Sequence, residues 1–111
     1  MNVSVFRDII KERSRIATET QDEWDYGIER CWNAEIAVLS ENVEETIRFL
    51  DQDCTADEFF WISEIFDELV EATQSKALIE CFYRVAKKYP AEAARYYIID
   101  HIKMAEDFLN E

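Results

Sequence analysis

The run Asp51-Gln52-Asp53-Cys54-Thr55-Ala56-Asp57 sets side-chain oxygens at alternate positions, the spacing with which an EF-hand loop begins to wrap a calcium ion. The match stops there. Ala56 stands where the loop needs a glycine, and Ile62 stands where a bidentate carboxylate must close the site. These residues read instead as a turn followed by a helix cap. His101, the only histidine, falls on the inward side of the last helix with Tyr97, Ile98, Ala105 and Phe108, and reads as a hydrogen-bonded core residue. Glu35 falls among Trp24, Ile28, Cys31 and Leu39 on an apolar helix side, where a lone ionised carboxylate is costly. It must pair with an arginine, reach solvent or line a groove. Cys31, Cys54 and Cys81 are odd in number and widely spaced, which suits reduced, packed thiols better than disulfides or a zinc site. No nucleophile, base and orienting acid can be picked out, and no glycine-rich loop is present to cradle phosphate. The residues thus suggest no catalytic set, no cofactor and no metal; a small hydrolase using Glu35 or His101 is the weakest of the readings carried forward.

The acidic residues are more informative. Residues 41–71 carry eleven acids against Arg48 alone, net −10, whereas residues 1–40 are net −3 and residues 72–111 are neutral. Like charges crowded together repel, so this concentration calls for something that offsets it. At 100° per residue, Asp57, Glu64, Glu68 and Glu71 fall along one line of a helix, with Asp67 beside it. Trp61 projects near Glu64 and Glu68 on one flank, and Phe60 near Asp67 and Glu71 on the other. Rings supply desolvated contact area and carboxylates supply steering, a combination suited to a basic protein partner. Such a face also serves plain solubility, and either ring would equally pack between helices of a multilayer stack.

The elements that must position these residues are helices. One glycine and one proline leave little material for tight hairpins, and apolar spacing predicts six helices. The first spans about Ser4–Ala17, with Val5, Ile9, Ile10 and Ile16 inward. The second follows a Thr20/Glu23 capping box and runs to about Ser40, and the third follows Asn42, with Glu45 at the box position. The fourth starts at a Thr55/Glu58 box and runs to about Ala72. Ser75 caps the fifth, which ends at Tyr89, and the last runs from Pro90 to about Leu109. Short connections predict an all-α fold of about six antiparallel helices, stacked as helical hairpins in a bundle or short superhelix.

With 111 residues, 49% of them hydrophobic, the chain has the makings of a single domain spanning residues 1–111, and its net charge of −13 does not imply disorder. That charge repels phosphates and anionic lipid, which argues against direct nucleic-acid or membrane binding. The first ten residues lack the basic and apolar regions of a leader, so a cytoplasmic location is expected.

Residues 59–90 add a resemblance. The run Phe59-Phe60-Trp61-Ile62-Ser63-Glu64-Ile65-Phe66-Asp67-Glu68-Leu69-Val70-Glu71, then Gln74-Ser75-Lys76, Leu78-Ile79-Glu80-Cys81 and Lys88-Tyr89-Pro90, resembles small all-helical bacterial immunity proteins of polymorphic toxin and contact-dependent growth-inhibition systems. The segment from Ser63 to Pro90 is its specific part; the first two helices carry no match. The resemblance implies a non-enzymatic protein that binds a cognate toxin and blocks its active site, with ribonucleases, including those of EndoU type, among the targets. Asp57, Glu64, Asp67, Glu68 and Glu71 would then meet the basic side chains of a nuclease cleft, with Phe60 and Trp61 as anchors. The alternative is an acidic helical adaptor, or a DNA mimic without a dedicated toxin.

Overall fold

Arg13 falls on the apolar stripe of the first helix, between Ile10 and Ile16, and the fold is arranged to keep it there. The computed structural model describes residues 1–110. Helix α1 (Val3–Thr20) opens where the Asn2 side chain accepts the Val5 N–H, and it buries Phe6, Ile10, Arg13 and Ile16. Val5, expected to face inward, is exposed. Thr20 does not cap the next helix. Its hydroxyl donates to the Ile16 carbonyl at 2.6 Å, closing α1, and Gln21 and Asp22 then turn the chain in left-handed conformations with φ of 55° and 62°. Helix α2 (Asp25–Ser40) therefore starts after Trp24, without a side-chain cap.

Asn42 caps α3 (Val43–Gln52) as expected, but the Glu45 carboxylate goes to the N-terminal ammonium instead of back to Asn42. The box at Thr55 is complete: its hydroxyl accepts the Glu58 N–H at 3.1 Å, and the Glu58 carboxylate accepts the Thr55 N–H at 2.9 Å. Each such reciprocal bond satisfies an amide that has no partner within the helix.

Among the described residues eight helices form, not six, because two of the expected helices are broken. Helix α4 (Ala56–Ser63) tightens at its end, where the Glu64 and Ile65 N–H groups reach back three residues to the Trp61 and Ile62 carbonyls, and α5 (Phe66–Thr73) starts afresh. After α6 (Lys76–Lys88), capped by Ser75, come α7 (Pro90–Arg95) and α8 (Ile98–Glu106). Between the last two, Tyr97 takes a left-handed φ of 55°. This turn carries His101 to the surface and leaves Tyr97 70% exposed, so neither packs inward as the continuous period implied; Phe108 is exposed as well.

Among the described residues there is no strand, and no helix is long and apolar enough to cross a membrane. Helix α2 lies against α1 and α5, α5 against α8, and α6 against α3 and α8, in a body of 38 × 29 × 26 Å. Its centre is aromatic. Phe66 stacks on Phe82 at 4.1 Å, and Phe59 lies 5.5 Å from Phe66. Ile16, Ile28 and Cys31 form a small second cluster between α1 and α2. All three cysteines are buried free thiols.

Candidate partner-binding surface

The eleven acids of residues 41–71 fall into two groups. One group is tied into the fold by cations from outside the segment. Arg7 holds Glu58 at 2.8 Å, Arg84 holds Asp51 through bonds of 3.2 and 2.9 Å, and the N-terminal ammonium holds Glu45. Arg13 grips Glu64 with two bonds, of 3.0 and 2.7 Å, and takes Asp22 at 2.7 Å with its remaining arm. Burial pushes the Glu58 carboxyl up, yet Arg7 and the Thr55 N–H hold it below the usual carboxylate range. Arg84 likewise depresses Asp51. Asp51 and Thr55, which suggested a calcium loop, thus serve an ion pair and a cap, and no three His, Cys, Asp or Glu side chains among the described residues are grouped to hold a metal.

The other group includes Asp57, Asp67, Glu68 and Glu71, which make no ion pair and no side-chain hydrogen bond; all are exposed except the half-buried Asp67. They do not form a straight ridge, because the break at residues 64 and 65 separates Asp57 on α4 from the three on α5. The break also turns Glu64 inward to Arg13, where the Trp32 indole N–H donates to it at 3.2 Å.

Between the two acidic stretches stands a pair of rings. Phe60 packs against Tyr96 with ring centres 4.2 Å apart, and the pair divides two clefts. One, of 390 Å³, has Asp67 and Glu64 on one wall and His101 and Met104 on the other. The second, of 380 Å³, has Asp57 and Glu92 together with Arg95, whose guanidinium lies 5.2 Å from the Tyr96 ring centre. A cation from a partner entering the first cleft would meet an unpaired carboxylate at Asp67 and the aromatic rings of Phe60 and Tyr96. The sequence reading missed Tyr96, Glu92 and Met104 and put His101 in the core, since it ran one continuous helix from Pro90 to about Leu109 where the turn at Tyr97 breaks it. Two adjacent tyrosines before an apolar run were the available signal.

Trp61 is placed differently from Phe60. Its ring lies under the Arg13 guanidinium at 4.9 Å, and its indole N–H is buried without a partner. Glu35 is 0% exposed, and both of its oxygens also lack a partner. Burial, with a further contribution from the neighbouring Glu64, pushes its carboxyl up to about 8, against the pull of Arg13. At neutral pH this favours the protonated carboxyl, which removes the cost of a buried charge but leaves a buried polar group without a hydrogen bond. Glu35 and His101 are not brought together: one is sealed from solvent and the other lies on the rim of a cleft. Compared with models of protein families, with curated proteins and with solved structures, the chain matches none of them.

Proposed function

We propose that this chain is an immunity protein that binds a cognate toxin, a nuclease, in the cytoplasm and occludes its basic active-site cleft. The observation that carries this reading is the set of carboxylates without internal partners: Asp67 and Asp57 line the clefts on either side of the Phe60–Tyr96 pair, and Glu68 and Glu71 are exposed on α5. Four acids of the same segment are matched by Arg7, Arg13, Arg84 and the N-terminus, so the fold has the means to neutralise carboxylates and leaves these uncompensated. Carboxylates set where a nuclease expects phosphates would draw its lysines and arginines, while the rings exclude water from the contact. Phe60 and Tyr96 act as anchors in this reading; Trp61 supports Arg13 from below.

The test is co-expression with the product of the reading frame adjacent to the chain's own, followed by affinity measurement on charge-reversed variants. Asp67→Lys combined with Glu71→Lys is expected to weaken binding at least a hundredfold and to abolish growth protection. Glu64→Lys would not test the surface, because it would set a like charge against the buried Arg13. Unchanged affinity in the double variant would remove this face from consideration. Displacement of duplex DNA from an unrelated DNA-binding protein, with no toxin bound, would favour the mimic reading instead.

A further inference from the structure

Among the described residues Glu35 is the one acid with no exposure at all, and neither of its oxygens has a hydrogen-bond partner. A carboxyl that stayed protonated throughout would do nothing there that an apolar side chain of similar size would not do at lower cost. Its neighbours give the proton a consequence. Arg13, reaching in from α1, favours the ionised form, and Glu64, at the end of α4, opposes it. The Cys31 thiol, one turn earlier on α2, is pushed up by burial and by Glu35 itself, and stays neutral. Among the described residues no charge on α3 or α5, the other elements packed against α2, acts on Glu35.

Arg13 links this sealed carboxyl to the surface. A guanidinium has five N–H groups, and Arg13 spends two on Glu64 and one on Asp22, so N–H groups remain to be given elsewhere. It rests on the Trp61 ring at 4.9 Å, a flat face on which it can turn without losing contact. Glu64, on the other side of Arg13, is not sealed. Its side chain is 21% exposed and lines the 390 Å³ cleft together with Asp67 and Phe60. One cation thus stands between a carboxyl that can change its charge and a carboxylate that a partner can touch.

We infer that Glu35 is a proton switch for this cleft: on losing its proton it draws Arg13 toward itself, which loosens Arg13 from Glu64 and leaves more negative charge on the cleft wall to hold a cationic side chain. Glu35 touches no partner and acts through Arg13, so it is a positioning residue. The sign follows from its folded-state value of about 8. Below that pH Glu35 is neutral and Arg13 is left to Glu64 and Asp22; above it a third carboxylate competes for the same guanidinium. By reciprocity, a cation seated on Glu64 frees Arg13 for Glu35 and promotes release of its proton. The role of the switch rests on the proposed docking of a basic partner at this cleft, but the switch itself is read in the free chain.

The test measures the charge of the cleft in the full chain, ¹⁵N-labelled and ¹³C-labelled at the methionine methyls, with two nitroxide probes, one bearing a trimethylammonium group and one neutral. Met104 lines the cleft, is 55% exposed and does not titrate, so the relaxation each probe adds to its methyl signal reports how strongly a fixed cation concentrates there. The ratio of the two is expected to rise about twofold between pH 7 and 9. The Trp32 indole N–H, which donates to Glu64, is expected to shift with the same midpoint. Glu35→Gln, fixed in the uncharged form, is expected to hold both signals flat; if it does not fold, coincident midpoints in the unaltered chain support the switch and separate ones overturn it. A constant ratio in the unaltered chain, a motionless Trp32 indole, or the same rise in Glu35→Gln would also overturn it. A failed switch leaves toxin affinity untouched, whereas unchanged affinity on combining Asp67→Lys with Glu71→Lys would remove the docking reading and leave the titration in place.

Discussion

Glu35 is where a single residue is most at odds with its surroundings. Its carboxyl is cut off from water and unbonded, with Glu64 and Arg13 close enough to push and pull on its proton. In the unfolded chain this group ionises near 4.5, and in the folded chain at about 8. Between those values the native state holds a proton that the unfolded state has released, so stability falls as pH rises through this window and levels off above it. From pH 4.5 to 7 the loss is on the order of 3 kcal/mol. Glu45, Asp51 and Glu58 act in the opposite sense, since their lowered values withdraw stability only as acid protonates them below the usual carboxylate range. Thermal unfolding should therefore show a maximum near pH 5. Glu35→Gln, which removes the titration, should flatten the slope between pH 5 and 8 and raise the melting temperature at pH 7; an unchanged slope would place the pH dependence elsewhere. The sequence showed this conflict, because one acid among apolar neighbours at helical spacing is visible in the letters. It did not show the resolution, since Arg13 and Glu64 come from α1 and the end of α4, far away in the chain.

Elements repeat that division between what spacing carries and what it hides. The Thr55/Glu58 box, the caps at Asn42 and Ser75, and the stop before Pro90 were legible because each is a bond or clash between residues three or four apart. The break after Ser63 was not. Phe59, Ile62, Ile65, Phe66, Leu69 and Val70 keep one helical phase straight through it, so the apolar pattern describes a single long helix. What the break achieves is tertiary: it swings Glu64 from the face opposite the core onto Arg13. The Thr20/Glu23 box failed for a local reason, since the Thr20 hydroxyl serves the Ile16 carbonyl four residues back and closes α1 instead of opening α2. Because Arg13 is almost fully buried and spends two of its three arms on Glu64, Glu64→Ala should leave Asp22 as its only anionic partner and destabilise the fold by about 3 kcal/mol, read by urea unfolding. The second break invites the opposite change. Tyr97 holds a left-handed φ that a side chain with a Cβ disfavours, and its ring is mostly in solvent. Tyr97→Gly should raise stability by about 1 kcal/mol. A fall instead would mean that the ring contributes more to the α7–α8 turn than its exposure suggests.

At the scale of the whole molecule the excess negative charge acts on two equilibria, and salt should move them in opposite directions. The free chain carries a net charge of −13, concentrated in residues 41–71, so folding works against self-repulsion. Screening shortens the reach of that repulsion to about 10 Å at 0.1 M salt, and the melting temperature should rise as salt is added. Binding to the basic partner proposed above would draw on the same field to guide the approach, and here screening would remove an advantage: the association rate should fall by one or more orders of magnitude over the same salt range. The dissociation rate should hardly change, because contacts at Phe60 and Tyr96 are short-ranged and largely desolvated once made. Phe60→Ala should show the converse, a faster dissociation with a nearly unaltered, still salt-sensitive association. Stopped-flow mixing with the partner and thermal melts, run at the same series of salt concentrations, measure both arms. A complex whose association ignores salt while the melting temperature climbs would confine the charge to a cost borne in folding and leave it no part in recognition.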